Sequence, residues 1–391
     1  MPIIKRLHPL FLIAGLILTL SNCGGGGGGG GGSDSVDNQN ELPLGEPLGL
    51  ILPRVSIEVD ELGIIINTDD PLSSQIADYY VAARNIPTEN ILRLAMGTAG
   101  TMSAEDFAVH ETAINEAFGE QIEAIALTSM TPYRIDCMGV SAAVALGFDL
   151  KYCQTESGCQ NTAAVDYFDS WSSQPLQDHA LRPTMIIAAE TYTDAVALID
   201  RGVAADNSYP NGNGWLVRTD DTFRNVRYTD FAETERDWQG VLDIEYVDNT
   251  FGSSSNLIEN EAYILFYFTG LPNVAGIESN SYQPGAVADH LTSGGGELPT
   301  SRQMSILEWI QAGVTASYGT AVEPCNFTSK FPQTSALLPH YFRGESVIEA
   351  YWKSVQQPGE GNFVGEPLAR PWAGAQSSYA NGTYTVTTTL L

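Results

Sequence analysis

The feature that most constrains the fold is a continuous apolar run at residues 62–66, which includes three successive isoleucines. A strand without polar positions is buried on both faces, which is typical of a parallel sheet covered by helices. The run is followed by Asp70 and Pro71, a suitable N-cap and a suitable first residue of a helix. We therefore predict a buried strand at 62–66 and a helix at 72–84.

Strand and helix patterns alternate along the rest of the chain, except in an irregular Ser- and Asn-rich stretch at about 150–180. We predict strands at 91–94, 124–128, 185–189, 215–218, 244–247, 263–268, 286–291, 314–318, 363–364 and 383–390. We predict further helices at 103–118, 193–204, 220–237, 301–311 and 346–354. Such alternation places parallel strands in one sheet, so we expect an α/β fold with a mostly parallel sheet flanked by helices. A single domain over 48–391 is favoured over two, because composition shows no linker-like break.

The amino-terminal segment carries the signals of an exported, lipid-anchored protein. Two basic residues precede an apolar run at 10–20, which is too short to span a membrane and is typical of a signal peptide. The run ends at Leu20-Ser21-Asn22-Cys23, which resembles the bacterial lipobox, so we predict a signal peptide at 1–22 and lipidation of Cys23. Nine consecutive glycines follow, and 23–47 is predicted to be a flexible, disordered tether. An ordinary signal peptide with a chance cysteine is the alternative.

Charge and missing motifs limit the classes of partner. The chain has 18 Lys and Arg against 47 Asp and Glu, a formal net charge of −29. Nucleic-acid binding depends on clustered basic residues, so we expect no nucleic-acid partner. We find no calcium loop, zinc spacing, P-loop, GxGxxG or G-x-S-x-G motif, and therefore expect no metal and no cofactor. The expected partners are the membrane, through Cys23, and an envelope protein or peptide. Gly24 favours the outer membrane, because the inner-membrane retention signal has Asp after the cysteine.

Four cysteines follow Cys23, and an exported protein is expected to oxidise them. Cys153 and Cys159 flank a short polar loop, so we predict a local disulfide between them. Cys137 and Cys325 both follow predicted strand ends. For this second pair a disulfide is favoured, and a structural free thiol or a nucleophilic thiol at Cys325 is the alternative.

Several strings resemble an uncharacterised family of exported bacterial proteins. Together they cover about 64–370, and the resemblance brings no activity with it. The strings are Ile66-Asn67-Thr68-Asp69-Asp70-Pro71, Ala77-Asp78-Tyr79-Tyr80, Arg84-Asn85-Ile86-Pro87, Thr131-Pro132-Tyr133-Arg134-Ile135, PGAVADHLTS at 284–293, SYGTAVEPC at 317–325, IEAYWKSV at 348–355 and FVGEPLA at 363–369.

A more distant resemblance is to the gingipain branch of caspase-like cysteine peptidases. The shared features are late parallel strands, a strand with Gly-Val-Thr-Ala-Ser-Tyr at 313–318, and a Gly-Glu-Pro-Leu turn at 365–368. The resemblance implies a caspase/gingipain-like three-layer architecture, in which a His-Gly pair ends one strand and a Cys ends the next. The corresponding strand ends here are Thr269-Gly270 and Thr292-Ser293. The glycine is kept but the histidine and cysteine are not, so the resemblance implies the fold without the peptidase chemistry.

Three residues are candidates for catalysis if the chain is an enzyme. His290 lies near the carboxyl end of a predicted strand, where α/β sheets form their ligand crevices. Ser293 and three glycines follow, and such a turn offers N–H groups to an oxyanion or carboxylate. Cys325 follows the next strand. A cysteine or serine hydrolase using His290 with Cys325 or Ser293 is thus the rival function, and a purely structural role is the alternative for each residue.

A second polar set lies at predicted strand ends, and its members could line one cleft. Arg134 is suited to bind a carboxylate, although each member also suits a helix cap or a surface ion pair. The main function we expect is binding of a ligand or protein at a strand-end cleft, without peptidase chemistry; a structural envelope protein is a third hypothesis. The set comprises Asn67, Asp69, Asp70, Arg134 and Asp289.

Overall fold

A computed structural model of the protein describes residues 52, 54–154, 158–372, 374–380 and 383–388. The predicted signal peptide, the lipidation of Cys23 and the glycine tether lie outside these residues. No helix in the described ranges combines the length and the apolar character that crossing a membrane requires.

The described residues form fifteen strands. In chain order they are β1 (Leu62–Asn67), β2 (Ile91–Leu94), β3 (Thr101–Met102), β4 (Ala124–Leu127), β5 (Arg134–Ile135), β6 (Met138–Gly139), β7 (Thr184–Ile186), β8 (Asn213–Arg218), β9 (Asp243–Asp248), β10 (Ile264–Thr269), β11 (Tyr282–His290), β12 (Ala316–Thr320), β13 (Gly361–Gly365), β14 (Ala375–Ala380) and β15 (Thr383–Thr388).

Nine α-helices connect these strands within the described ranges. Side chains cap several of them: Asp70 accepts from Leu72 at the start of α1, as predicted, and Ser346 forms a capping box on α9. The helices are α1 (Pro71–Arg84), α2 (Ala104–Ala117), α3 (Val140–Leu146), α4 (Pro175–His179), α5 (Tyr192–Ala205), α6 (Tyr228–Trp238), α7 (Leu307–Ala312), α8 (Thr334–Phe342) and α9 (Val347–Ser354).

Ten strands form one sheet, in the order β2-β1-β4-β7-β13-β12-β11-β10-β8-β9. Neighbouring strands are parallel except for β12 and β13, which are antiparallel. Strand β13 lies between β7 and β12, and it joins the strands that precede residue 190 to those that follow residue 210. The prediction of an α/β fold with a mostly parallel sheet is confirmed.

Helices cover both faces of this sheet. Phe266 and Phe268 of β10 belong to the main core cluster, whereas Tyr267 between them belongs to a second cluster. Trp309 of α7 packs edge-on against Tyr267, with ring centroids 5.1 Å apart. Because alternate residues of a strand point to opposite faces, both faces of β10 are buried. The same holds for β1, every residue of which is buried, as its apolar sequence predicts.

The structure departs from the predicted elements in a few places. The helix predicted at 220–237 begins only at Tyr228, and the one predicted at 301–311 begins only at Leu307. Loops occupy the first part of each range. Helices α3, α4 and α8 and strands β3, β5, β6 and β14 were not predicted, and β14 pairs with the predicted terminal strand β15.

Candidate functional site

A cavity of about 550 Å³ lies at the carboxyl end of β11. The residues that directly follow β11 form one side of it, and the loops after β8 and β12 form others. Open α/β sheets place ligands at the carboxyl ends of their strands, so the location is where the sequence predicts a cleft. This cavity is named the strand-end pocket; its lining residues are Gln154, Gly158, Cys159, Phe223, Arg224, Leu291, Thr292, Ser293, Glu323, Cys325 and Asn326.

Two disulfide bonds hold the irregular loop, one of them at the pocket, and their pairing differs from the predicted one. Cys137 is bonded to Cys153, and Cys159 is bonded to Cys325, with Cα–Cα distances of 5.6 and 5.8 Å. The predicted bond between Cys153 and Cys159 is therefore wrong, as is the bond predicted between Cys137 and Cys325. All four cysteines are oxidised, and Cys325 has no thiol to act as a nucleophile.

The reason for this pairing is that the loop lies across the strand ends instead of folding back on itself. Cys153 is buried after the short helix Leu150–Tyr152, whereas Cys159 is exposed at the pocket. The carbonyl oxygen of Tyr152 lies only 2.3 Å from where a Cβ on Gly359 would be, so the loop packs directly on the segment before β13. The two cysteines consequently face different neighbours, which sequence spacing does not reveal.

His290 is buried in the core and has no ring nitrogen available. The indole N–H of Trp309 donates to His290 Nδ1 at 2.9 Å, and His290 Nε2 donates to the carbonyl oxygen of Met304 at 3.1 Å. Burial lowers the pKa of His290 to about 4, so the ring is neutral near pH 7. A ring whose single lone pair is already engaged cannot take a proton from a nucleophile. The structural alternative for His290 therefore fits, and the role of base does not.

The structure brings two of the three candidate catalytic residues to one pocket. Ser293 and Cys325 line it, but His290 does not, and Cys325 is in a disulfide. The described wall of the pocket contains no histidine beside Ser293. Since a serine without a base is a poor nucleophile, the pocket lacks a nucleophile–base pair of the predicted kind.

Arg224 crosses the end of β10 and reaches the end of β11. A Cβ on Gly270 would lie 1.9 Å from the carbonyl oxygen of Arg224, so this close approach requires glycine. The guanidinium donates through Nη1 to Asp221 at 2.8 Å and through Nε to the hydroxyl of Thr292 at 3.3 Å. Arg224 and Thr292 therefore meet where β10 and β11 end.

The turn after β11 binds the side chain of Gln303. The hydroxyl of Thr292 and the backbone N–H groups of Ser293 and Gly294 all donate to Gln303 Oε1; the two N–H distances are 2.9 and 3.3 Å. Successive N–H groups that converge on one oxygen form a nest, the arrangement with which backbone binds anions. The turn therefore presents N–H groups to an oxygen, as its sequence suggests, but that oxygen belongs to the protein itself.

Asn67, Asp69 and Asp70 organise the turn after β1. The amide of Asn67 donates to the carbonyl oxygens of Gly97 and Thr131 at 2.6 and 3.2 Å, and its oxygen accepts from the N–H of Asp69. Asp69 accepts from the N–H of Gly97 at 2.8 Å, and Asp70 caps α1. These contacts are within the protein, and none of the three residues lines the strand-end pocket.

Asp289 and Arg134 also lie outside the pocket. Asp289 accepts from Arg227 at 2.6 Å in the core, where burial raises the pKa of Asp289 to about 6 against the opposing effect of Arg227. Arg134 lies in the small sheet of β3, β5 and β6, and its buried Nε has no partner among the described residues. The predicted polar set therefore does not share one cleft. Four strands separate β1, which precedes the turn of Asn67, from β11, so these two strand ends do not share a cleft.

The remaining histidines of the described chain are engaged elsewhere or lie away from the pocket. His340 bridges Glu345 and Asp169 at 3.0 and 3.1 Å, and His179 contacts the hydroxyl of Ser170 at 2.9 Å. No group of three or more His, Cys, Asp or Glu side chains suited to a metal ion occurs within the described ranges.

Sequence reasoning missed Phe223 and Arg224, which line the pocket, and Gln303, which contacts the turn after β11. Phe223 and Arg224 were assigned to a helix at 220–237, but they belong to the loop that precedes α6. The available signal was their position just after the strand predicted at 215–218, because strand ends form ligand sites. No sequence signal placed Gln303 beside the turn after β11.

Comparisons with known proteins add little to this geometry. No family model matches the chain, and no curated protein matches it. A solved structure named "Structure of Protease" is similar over 84% of this chain and 91% of its own, with 8% sequence identity and a TM-score of 0.45. Similarity at this level carries no inference about activity. The resemblance to exported bacterial proteins therefore remains a prediction, and function has to be argued from the pocket.

Proposed function

We propose that the protein binds a peptide segment in the strand-end pocket and does not cleave it. The observation that carries the proposal is a strand-end cavity of ligand size with no nucleophile–base pair on its described wall. A volume of about 550 Å³ falls in the range of ligand sites. The described wall therefore has groups that can bind a ligand, but no nucleophile and base that could hydrolyse it.

The chemistry of the wall suits a peptide. Phe223 is 74% exposed, and the buried Leu291 contributes a second apolar residue to the wall. Arg224 and Glu323 bring opposite charges, and Asn326 is an exposed amide. An exposed aromatic ring with polar groups around it is the usual composition of a peptide-binding hot spot.

We further propose that the sheet has the caspase/gingipain-like arrangement. Its support is the position of three residues at the ends of neighbouring strands. Thr269 ends β10 and Gly270 follows it, and Thr292 follows the end of β11. In gingipain-like peptidases a His-Gly pair and a Cys end such strands. Here Arg224 and Thr292 meet at those ends, so the proposed relation is one of a shared framework with a changed site.

We also propose that binding takes place at the bacterial cell envelope, with the chain anchored in the outer membrane through Cys23. The support is the short apolar run before Cys23, its lipobox-like sequence and the glycines that follow. A glycine tether would let the pocket sample a volume around its anchor.

A random peptide library passed over the immobilised full chain tests the binding proposal. We expect a subset of peptides to be retained, and their mass spectra to show no cleavage. Phe223→Ala should weaken their binding on the order of 10-fold or more, because it removes an aromatic contact. Phe251→Ala is the matched control, since Phe251 is 94% exposed and does not line the pocket.

Two results would contradict the proposal. If retained peptides bind the Phe223→Ala and Phe251→Ala variants equally well, they do not bind in the strand-end pocket. If cleaved peptides accumulate with the protein and not in its absence, the hydrolase hypothesis takes first place.

A further inference from the structure

We propose that the strand-end pocket recognises a carboxylate, which displaces the Gln303 side chain from the nest after β11 and pairs with Arg224. This inference rests on the proposed binding of peptides and names the group by which a peptide is recognised. Gln303 is then an internal stand-in for the ligand: without a ligand, its Oε1 occupies the position that a carboxylate oxygen would take.

The nest holds a side-chain oxygen and not a backbone oxygen of its own turn. Three donors, from Thr292, Ser293 and Gly294, converge on Gln303 Oε1. A neutral amide oxygen is a weaker acceptor for them than a carboxylate, whose charge-assisted hydrogen bonds are roughly twice as strong. Gln303 is half-buried, so its side chain can leave the nest without opening the core.

Arg224, the one cation on the described wall of the pocket, lies beside the nest. Its Nε donates to the hydroxyl of Thr292, which in turn donates to Gln303. The guanidinium and the nest are therefore linked through one hydroxyl. Nη1 is taken by Asp221, and no described residue accepts from Nη2. A planar guanidinium beside backbone N–H groups is matched to the two oxygens of a carboxylate.

The charged groups around the pocket favour a singly charged ligand group. Glu323 is exposed on the loop after β12 and lines the same pocket. Because Arg224 is already paired with Asp221, Glu323 gives these three groups a net negative charge, which repels a doubly charged phosphate about twice as strongly as a singly charged carboxylate at the same distance. A carboxylate is therefore favoured over a phosphate. It can come from a peptide carboxyl terminus or from an Asp or Glu side chain.

Four libraries of N-acetylated hexapeptides separate these two sources. The peptides end in a free carboxyl group or an amide, and their randomised positions include or omit Asp and Glu. Retention by the full chain of free-acid peptides alone assigns the terminal carboxylate, and retention of amidated peptides that contain Asp or Glu assigns the side chain. Either result supports the inference.

Variants of the protein, assayed for their affinity for the retained peptides, then test the mechanism. Gln303→Ala should strengthen binding on the order of 10-fold, because it removes the competing amide. Gln303→Glu should weaken it by a similar factor, because the tethered carboxylate fills the nest. Arg224→Gln should weaken binding on the order of 10- to 100-fold. Arg302→Gln is the control: Arg302 is 86% exposed, neighbours Gln303 and does not line the pocket.

Failure of the inference can be told from failure of the proposed function. If amidated peptides without acidic residues are retained as well as the others, and Phe223→Ala still weakens them, peptide binding stands and carboxylate recognition is wrong. If Gln303→Ala and Gln303→Glu change affinity in the same direction, Gln303 is no stand-in. If no library is retained, both proposals are wrong. Thermal melting of each variant identifies one that fails to fold, and the remaining variants then decide.

Discussion

Gly270 gives the end of β10 a shape that a residue with a side chain would not allow. Its lack of a side chain lets the backbone of Arg224 cross the end of β10. Arg224 then meets Thr292, and neither a guanidinium nor an unassisted hydroxyl is a side chain suited to act as a general base. The sequence could reveal the glycine, but it could not reveal Arg224 as the residue that requires it, because the two are 46 residues apart (270 − 224).

His290 makes stability depend on pH in a predictable direction. Its pKa is about 6.5 in an unfolded chain and about 4 in the folded protein, where it is buried. Between these values the unfolded chain binds a proton that the folded protein does not. The free energy of unfolding should therefore fall as pH drops from 6.5 to 4, by up to about 3 kcal/mol from this residue.

Urea unfolding of the wild type and of His290→Gln between pH 4 and 7.5 measures this contribution. Glutamine retains a hydrogen-bonding side chain but does not titrate, so the variant should lose less stability per pH unit than the wild type. Parallel pH profiles for the two proteins would show that His290 is not buried as a neutral ring.

At the scale of elements, the sequence was most informative where a segment carried its own pattern. The fully apolar strand β1 and the capped helix α1 could be located because burial and capping leave local signals. Helix α3 could not, since it is short and its mostly buried sequence has no polar face. Helix α8 contains Pro339, which a sequence pattern reads as a break although tertiary packing accommodates it. The pocket loops had no pattern of their own.

The two disulfides should differ in their effect on stability, because they close loops of different length. The bond between Cys159 and Cys325 spans 166 residues, and the bond between Cys137 and Cys153 spans 16. In the chain-entropy model, removing the first with Cys159→Ser and Cys325→Ser costs about 5 kcal/mol, and removing the second with the equivalent pair costs about 3 kcal/mol.

Denaturant unfolding of the two double variants tests this order, and peptide mapping of unreduced wild-type protein tests the pairing. A peptide joining Cys153 to Cys159 would refute the observed connectivity. The loop lengths would not govern stability if the Cys137 and Cys153 variant proved the less stable of the two.

At the scale of the whole molecule, the tether predicted from the sequence can be tested apart from the fold. Cys23→Ala should release the protein from the membrane fraction or leave the predicted signal peptide uncleaved, because the proposed lipid anchor would be attached to that sulfur. The Cys159→Ser and Cys325→Ser double variant is the control and should remain membrane-bound. A processed Cys23→Ala protein that still fractionates with the outer membrane would contradict the anchor.

The position of β13 has a consequence for how the molecule is made. This strand comprises residues 361–365 of 391, yet it lies between β7 and β12 in the sheet. A ribosome delivers it after all the other strands of that sheet. Until it arrives, β7 and β12 each present an unpaired edge, and such edges pair readily with foreign chains. A chain that ends before residue 361 therefore lacks the strand that joins β7 to β12, and the two parts of the sheet are left without the strand between them.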